Sequence, residues 1–317
     1  MARISSSVFL ILLFPFFLVT CANHQHVFFK GGSGPAFPLS YLDDCDNYSQ
    51  QLVELDRGKE VILLVHGCKA SSGRFLTLKK VIESYDQQAI CFNYDYRDRL
   101  EQSAGRLLQS INQLIGLIGP PHLTIIGHSQ GGLVARRALI AERKDCRLLD
   151  GIQKIRLVSI SSPFNGIQAS SHCGMNTLHI LSAGLSVLIC QGVAGSIWSE
   201  VHPRAPFINQ PGKLTDAVYD HLKINTDERE SCRSRNVSGS CVESDFVFSL
   251  EEQYHPLVDN DRRVTNVMLK VGHALAVGIE GHPPHQLIEV LRKYNVMRRD
   301  MAVSEVEDRA LLARLYR

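Results

Sequence analysis

The chain has 317 residues, of which 44% are hydrophobic and 21% are charged. This composition is typical of a globular protein with a buried core, and it excludes disordered and collagen-like classes. The formal net charge of +2 is too small to predict a basic groove for nucleic acid.

The N-terminal segment has the three parts of a secretory signal peptide. Arg3 provides the positive flank, residues 8–19 form an apolar core, and residues 20–22 offer a cleavage site. The apolar core is too short to favour a membrane span. We therefore expect residues 1–22 to be removed and the mature chain to be exported to an extracellular, periplasmic or lumenal compartment.

Removal of this leader leaves eight of the nine cysteines. An even number of cysteines in an exported chain predicts disulfide bonds, although the sequence does not determine the full pairing. Cys232 and Cys241 bracket a polar, loop-like segment, so we predict that these two are paired. Cys91 lies in an apolar run, which is compatible with either a disulfide or a buried free thiol.

Strands and helices alternate between residues 61 and 161. The predicted strands are 61–65, 89–93, 123–127 and 155–161, and the predicted helices are 74–85, 98–119 and 132–143. Continuous apolar strands joined by helices are typical of a doubly wound, mostly parallel sheet. The sequence therefore predicts an α/β fold.

The alternation lapses at about residues 167–244, which we interpret as a cap or lid excursion. Strands are predicted again at 245–250 and 266–271, followed by a helix at 285–294. Because strands and helices alternate on both sides of the interruption, we expect a single domain over residues 23–317. The charged tail, residues 297–317, predicts a solvated helix.

The segment 127–131, Gly-His-Ser-Gln-Gly, follows a predicted strand and precedes a predicted helix. A sharp strand-to-helix turn strains the backbone of a central serine and leaves no room for side chains two residues before and after it. Gly127 and Gly131 satisfy this requirement. We therefore predict that Ser129 is a nucleophile at the N-terminus of a helix.

A second motif, His66-Gly67-Cys68, ends the first buried strand. In sheets of this kind, the loop after this strand and the residue after the nucleophile each donate a backbone N–H to an oxyanion. This nominates the amides of Cys68 and Gln130. For His66 we expect a structural role in holding the loop.

With these two motifs and a third at residues 157–166 (LVSISSPFNG), the chain resembles the α/β-hydrolase superfamily, and within it the lipase-like enzymes. The resemblance is strongest over residues 60–170. It implies an α/β-hydrolase fold and a Ser-acid-His order along the chain. Phe164 stands where lipases often have His, and Cys68 where a larger apolar residue is usual, which leaves the shape of the acyl pocket open.

The general base is expected on the turn after the last strand. His273 follows an apolar run and Gly272, which is similar to the Val-Gly-His ending of bacterial lipases. His282 and His285 are rivals, but they lie beside prolines that favour the start of the final helix. We therefore predict His273 as the base.

The acid is expected just after the penultimate strand, but His255 occupies the position where related enzymes carry Asp. Glu252 lies immediately past the predicted strand 245–250, and Glu251 and Asp259 are the alternatives. We rank Glu252 first. A solvated acidic turn is the structural alternative for the glutamate pair.

These residues predict an exported serine hydrolase that cleaves lipid or other acyl esters through a Ser-His-acid triad and an acyl-enzyme. The alternatives are an acyl-protein thioesterase, an acyltransferase, or a hydrolase-fold binding protein that has lost catalysis. No motif for a metal or cofactor occurs, so none is expected. Transient contact with a membrane or lipid interface is compatible with this reading, and the sequence does not determine the oligomeric state.

Overall fold

A computed structural model describes residues 27–29, 37–47, 52–143, 147–148, 154–168, 197, 199–298 and 305–317. The predicted signal peptide and residues 169–196 of the predicted excursion lie outside these ranges. So do four of the cysteines, Cys21, Cys146, Cys173 and Cys190.

A seven-stranded sheet forms the centre of the fold. Its strands in spatial order are β12 (Val264–Leu269), β9 (Val218–Thr226), β8 (Ile155–Ile160), β7 (Leu123–His128), β5 (Val61–Val65), β6 (Gln88–Phe92) and β3 (Leu42–Asp43). All neighbours are parallel except β3, which is antiparallel to β6. A smaller sheet joins β2 (Phe37–Leu39), β1 (Val27–Phe29) and β4 (Leu52–Val53). The prediction of a doubly wound, mostly parallel sheet is confirmed.

Helices cover both faces of the large sheet. One face packs against α2 (Leu100–Ile118) and α3 (Gln130–Ala138), and the other against α1 (Leu76–Glu83), α7 (His285–Lys293) and α8 (Glu305–Leu315). All five residues of β5 are buried and alternate between the two cores. Burial on both faces is the reason that this strand is continuously apolar. Within the described residues, no helix is long and apolar enough to cross a membrane.

Short elements complete the described chain: α4 (Pro206–Asn209), the hairpin β10 (Cys232–Arg235) and β11 (Cys241–Ser244), α5 (Leu250–Gln253) and α6 (Pro256–Asp259). Helix α8 forms in the tail that predicts a solvated helix, and most of its side chains are exposed. Leu312, and Tyr316 just after the helix, are buried against the face that also holds α1 and α7.

The penultimate strand lies elsewhere than predicted. Residues 245–249 form no strand, and the sheet is rejoined at β9, inside the range 167–244 that was interpreted as an excursion. The reason is that β9 carries His221 and Lys223 at fully buried positions. These polar residues interrupt the apolar run by which buried parallel strands are recognised.

Two disulfide bonds are present among the described cysteines. Cys232 is bonded to Cys241, which confirms the predicted pair, and Cys45 is bonded to Cys91. Cys91 is therefore a disulfide partner and not a buried thiol. Among the cysteines that the structure describes, Cys68 is free.

Candidate active site

Ser129 lies between β7 and α3, and its backbone adopts φ 58° and ψ −127°. This positive φ is strained for a residue with a side chain. A Cβ added to Gly127 would lie 2.5 Å from the Gly131 carbonyl oxygen, and one added to Gly131 would lie 2.2 Å from the Val65 carbonyl oxygen. Both neighbours must therefore be glycine, and the turn holds Ser129 at the N-terminus of α3.

The loop after β5 packs directly on Ser129. A Cβ added to Gly67 would lie 2.8 Å from the Ser129 Cβ and 3.3 Å from its Oγ. Cys68 follows in the same loop, and burial raises the pKa of its thiol. Gln130 is the first residue of α3, so its N–H has no acceptor within the helix. The two amides predicted for an oxyanion hole thus belong to the two segments that meet at Ser129.

His66 is fully buried beneath this loop. Its Nδ1 lies 3.0 Å from the Gly67 carbonyl oxygen, and its ring stacks on Tyr94 with centroids 4.4 Å apart. Burial lowers the pKa of His66 to about 4, so the ring is neutral at neutral pH. These contacts are those of a residue that holds the loop.

His273 lies on the loop after β12, and 9% of its surface is exposed. Its ring lies against that of His128, with centroids 4.6 Å apart, and its carbonyl oxygen is 3.0 Å from His128 Nε2. Burial, together with unfavourable electrostatic interactions with His273 and Arg74, lowers the pKa of His128 well below its ordinary value, so His128 is neutral and donates from Nε2. Because His128 directly precedes Ser129, this contact places the His273 loop beside the elbow.

The carboxylate that contacts His273 is Glu228, two residues after β9. Glu228 Oε1 lies 3.1 Å from His273 Nδ1, and Oε2 accepts hydrogen bonds from the backbone N–H groups of Val247 (2.6 Å) and Phe248 (2.9 Å). Burial raises the pKa of Glu228, but the hydrogen bond and charge of His273 and the two amides outweigh it, so the pKa lies below its ordinary value. Glu228 is therefore ionised at neutral pH.

Two hydroxyl groups complete the contacts of this pair. Ser161 Oγ lies 2.8 Å from both Glu228 Oε1 and His273 Nδ1, and Thr226 Oγ1 donates to Glu228 Oε1 over 2.8 Å. Ser161 is fully buried at the end of β8 and has φ 46°, a strained value for serine. The two hydroxyls that contact the carboxylate and the imidazole thus lie at the ends of two adjacent strands, β8 and β9.

The carboxylates predicted from the sequence have other partners. Glu252 caps α5 by accepting from the Ser249 N–H, and it also accepts from the Gln168 N–H. Asp259 forms a buried ion pair with Lys223, with 2.9 Å between Oδ1 and Nζ. Glu251 is exposed. The structure does not bring any of these three side chains to His273.

The rival histidines also lie apart from this arrangement. His282 is exposed in the turn that precedes α7, and His285 is exposed as the first residue of that helix. Glu228 was missed because its strand was not recognised. The rule that the acid follows the penultimate strand does locate Glu228 once β9 is identified.

The arrangement has the parts that nucleophilic acyl transfer requires. Ser129 provides a hydroxyl, and His273 provides an imidazole whose Nδ1 is held by Glu228, which leaves Nε2 to exchange a proton. Phe248 packs edge-on against the His273 ring with centroids 4.8 Å apart, which limits rotation of the imidazole. No cluster of His, Cys, Asp or Glu suited to a metal ion occurs in the part of the chain that the structure describes.

Comparisons with known proteins bear on the family and the fold of the chain. A family model described as "Putative serine esterase (DUF676)" matches residues 56–197. The mature form of Bacillus licheniformis lipase BlEst2 is similar in structure, with a TM-score of 0.51 and 13% sequence identity over 75% of this chain and 92% of that chain. The propeptide form of that lipase also gives a TM-score of 0.51, with 12% identity over 78% of this chain and 53% of that chain. No curated protein matches the sequence.

The family match contains Gly67 and Ser129, whereas Glu228 and His273 lie beyond its end. The structural likeness, at this low identity, concerns the fold. The elbow serine, the family match and the structural likeness support a serine ester hydrolase with an α/β-hydrolase fold.

Proposed function

We propose that Ser129, His273 and Glu228 form a catalytic triad that hydrolyses carboxylic esters through an acyl-enzyme. The observation that carries this proposal is the 3.1 Å contact between Glu228 Oε1 and His273 Nδ1 beside the strained elbow serine. A carboxylate at Nδ1 fixes the tautomer in which Nε2 is the base. Glu228 takes the role for which Glu252, Glu251 and Asp259 were the candidates in the sequence.

In the first half-reaction, the Ser129 hydroxyl proton passes to His273 Nε2 while Oγ bonds to the substrate carbonyl carbon. The bond between that carbon and the ester oxygen then breaks, and the proton on Nε2 passes to the departing alcohol. Water repeats the sequence on the acyl-enzyme, which releases the acid and restores Ser129. Glu228 stays ionised throughout and stabilises the imidazolium.

The amides of Cys68 and Gln130 are proposed to donate to the oxyanion of each tetrahedral intermediate. Support comes from the close packing of the Gly67 loop on Ser129 and from the position of Gln130 at the start of α3. Because the backbone N–H acts here, the identity of the Cys68 side chain affects the shape of the site and not the oxyanion contact.

An acyl ester with an apolar acyl group, lipid esters included, is the substrate class that we propose. Phe248 packs edge-on against the ring of the proposed base, His273. An apolar ring beside the base favours an apolar acyl chain over a charged one.

We also propose that the enzyme is exported and that residues 1–22 are removed. The two disulfide bonds support this, because stable disulfides are typical of exported proteins and rare in reducing compartments. Sequencing the N-terminus of the protein recovered outside the cytoplasm tests the cleavage, and an N-terminus at Met1 would contradict it.

The activity is tested by labelling the purified, oxidised protein with a fluorophosphonate. We expect wild type to be labelled, Ser129→Ala not to be labelled, and His273→Ala and Glu228→Gln to be labelled far more slowly. The matched control is Glu251→Gln, a change at an exposed glutamate, which should be labelled like wild type. Nitrophenyl esters of graded chain length, matched thioesters and an alcohol acceptor then separate esterase, thioesterase and acyltransferase activity. A folded wild type that is never labelled, with or without detergent, would contradict catalysis and favour a binding protein.

A further inference from the structure

A second carboxylate, Asp245, contacts the backbone of the loop that carries His273. Asp245 Oδ1 accepts from the Ala274 N–H (3.1 Å), and Oδ2 accepts from the Leu275 N–H (2.9 Å). The Asp245 carbonyl oxygen accepts from the His273 N–H (3.0 Å). Three consecutive amides, beginning with that of the proposed base, are therefore bonded to one residue that is 1% exposed.

The loop lies directly on this carboxylate. A Cβ added to Gly272 would lie 2.2 Å from Asp245 Oδ2 and 2.2 Å from Ser231 Oγ. Residue 272 must therefore be glycine for steric reasons, because any side chain at this position would separate the loop from Asp245.

Two arginines contact the same assembly. Arg233 Nε lies 3.3 Å from Asp245 Oδ1 as an ion pair, and Arg74 Nη2 donates to the Ala274 carbonyl oxygen over 2.9 Å. Asp245 and Arg74 thus hold the N–H and the C=O of the same residue.

Glu228 and Asp245 lie at the two ends of one excursion of the chain, the β10–β11 hairpin. Ser231 connects them, because its N–H donates to the Glu228 carbonyl oxygen (3.0 Å) and its carbonyl oxygen accepts from the Asp245 N–H (3.3 Å). One carboxylate therefore holds the ring of His273 and the other holds its backbone, and the hairpin base fixes the two relative to each other.

We propose that Asp245 is a positioning residue for the catalytic base. It fixes the backbone of residues 273–275 so that Nδ1 meets Glu228 and Nε2 is oriented for proton exchange with Ser129. This inference rests on the proposed function, since it takes His273 as the base. A carboxylate that merely stabilised the fold would change the amount of folded protein and not the rate of each folded active site.

The test compares Asp245→Asn and Asp245→Ala with Glu243→Gln. Asn keeps one acceptor and loses the other, Ala loses both, and Glu243 is the second, more exposed carboxylate on Arg233 (3.2 Å). Rates are divided by the number of sites titrated with fluorophosphonate, so that unfolded protein is not counted. We expect kcat on a short ester to fall by about 10-fold in Asp245→Asn and by about 10²-fold in Asp245→Ala, with KM and Glu243→Gln near wild type.

Gly272→Ala provides an independent variant, because it displaces the loop and leaves the carboxylate in place. We expect Gly272→Ala to lose kcat by a factor similar to that of the Asp245 variants. We also expect Asp245→Asn, Asp245→Ala and Gly272→Ala to show an altered acid limb of the pH-rate profile. A normal titrated kcat and pH profile in Asp245→Asn, with only a lower melting temperature, would overturn the positioning role. If Asp245→Asn does not fold, Gly272→Ala decides by the same criterion, whereas a wild type without labelling would reject the proposed function itself.

Discussion

Glu228 and His273 are 45 residues apart in the chain, yet Glu228 Oε1 lies 3.1 Å from His273 Nδ1. The carboxylate receives further hydrogen bonds from the hydroxyls of Ser161 and Thr226 and from the amides of Val247 and Phe248. Donors on both oxygens keep a buried carboxylate ionised and prevent its rotation. The charge that orients His273 is therefore fixed before substrate binds.

Replacement of Glu228 by Gln tests this relationship. The carboxamide keeps the size of the side chain but removes the charge, and its NH2 group cannot accept from His273 Nδ1. We expect kcat per titrated site to fall by about 10²-fold or more, with a much smaller change in KM. Steady-state kinetics on a short nitrophenyl ester measure both quantities.

The matched comparison is Glu252→Gln, because Glu252 is the acid ranked first from the sequence. Glu252 accepts from the amides of Ser249 and Gln168, so its loss should lower the melting temperature. We expect kcat per titrated site to stay within about 3-fold of wild type, since a lost cap costs mainly stability. The reverse result, an inactive Glu252→Gln and a fully active Glu228→Gln, would contradict the proposed triad.

The pH dependence of stability follows from the lowered pKa of Glu228. A carboxylate whose pKa in the folded state lies below its ordinary value of 4.5 stabilises the fold at higher pH. That stabilisation is lost as the pH falls through the folded-state pKa. We therefore expect the difference in melting temperature between wild type and Glu228→Gln to be constant above about pH 5.5 and to shrink below about pH 4. Thermal unfolding from pH 3 to 7 measures it, and a difference that grows in acid would contradict the assignment.

Much of the fold could be predicted because its strands are buried on both faces. The continuous apolar run of β5 reflects its burial on both faces, and the Gly-x-Ser-x-Gly pattern reflects the tight turn between β7 and α3. The strand β9 could not be predicted in the same way. Its buried Lys223 is compensated by Asp259, a partner 36 residues away that the sequence pattern does not connect to it.

The proposed acid, Glu228, could not be predicted for the same reason. The rule for its position refers to a strand end, and the strand was placed at residues 245–250 instead of Val218–Thr226. Ser129 and His273 could be predicted as candidates because each is marked by local sequence, a glycine pair in one case and Gly272 in the other. No local sequence pattern distinguishes Glu228, because its proposed role depends on contacts with Ser161 and His273, which are distant in the chain.

Ser161 offers a way to separate backbone strain from hydrogen bonding. Ser161→Ala removes the hydroxyl that lies 2.8 Å from Glu228 and His273 and keeps the strained φ of 46°, whereas Ser161→Gly also relieves the strain. We expect both variants to lose kcat per titrated site by a similar factor of about 10. The Gly variant should melt at a higher temperature than the Ala variant. Equal melting temperatures with unchanged kcat would show that the hydroxyl and the strain are incidental.

The two disulfides should have different roles. Cys232–Cys241 closes 9 residues in the hairpin that joins Glu228 and Asp245, and Cys45–Cys91 closes 46 residues at the sheet edge near β3 and β6. A longer loop loses more unfolded-state entropy when it is cross-linked. We expect the Cys45→Ser/Cys91→Ser pair to lower stability more, and the Cys232→Ser/Cys241→Ser pair to lower titrated kcat more. Thermal unfolding and titrated kinetics on both pairs check this, and the opposite ranking would contradict it.

The elbow makes the sharpest steric prediction, and α2 supplies its control. A Cβ at Gly131 would lie 2.2 Å from the carbonyl oxygen of Val65 in β5, which is fixed between β6 and β7. A Cβ at Gly116 in α2 meets no atom within 4 Å. We expect Gly116→Ala to stabilise the protein by about 0.5–1 kcal/mol, because alanine is the better helix former.

Gly131→Ala, by contrast, should yield either no folded protein or a fold in which Ser129 is displaced and no longer labelled, because the Val65 and Gly131 backbones cannot move apart without disrupting the packed sheet. Thermal unfolding and fluorophosphonate labelling of the two variants side by side measure both effects. A Gly131→Ala protein that folds and is labelled at the wild-type rate would mean that the backbone around Ser129 is looser than its φ of 58° and these contacts indicate.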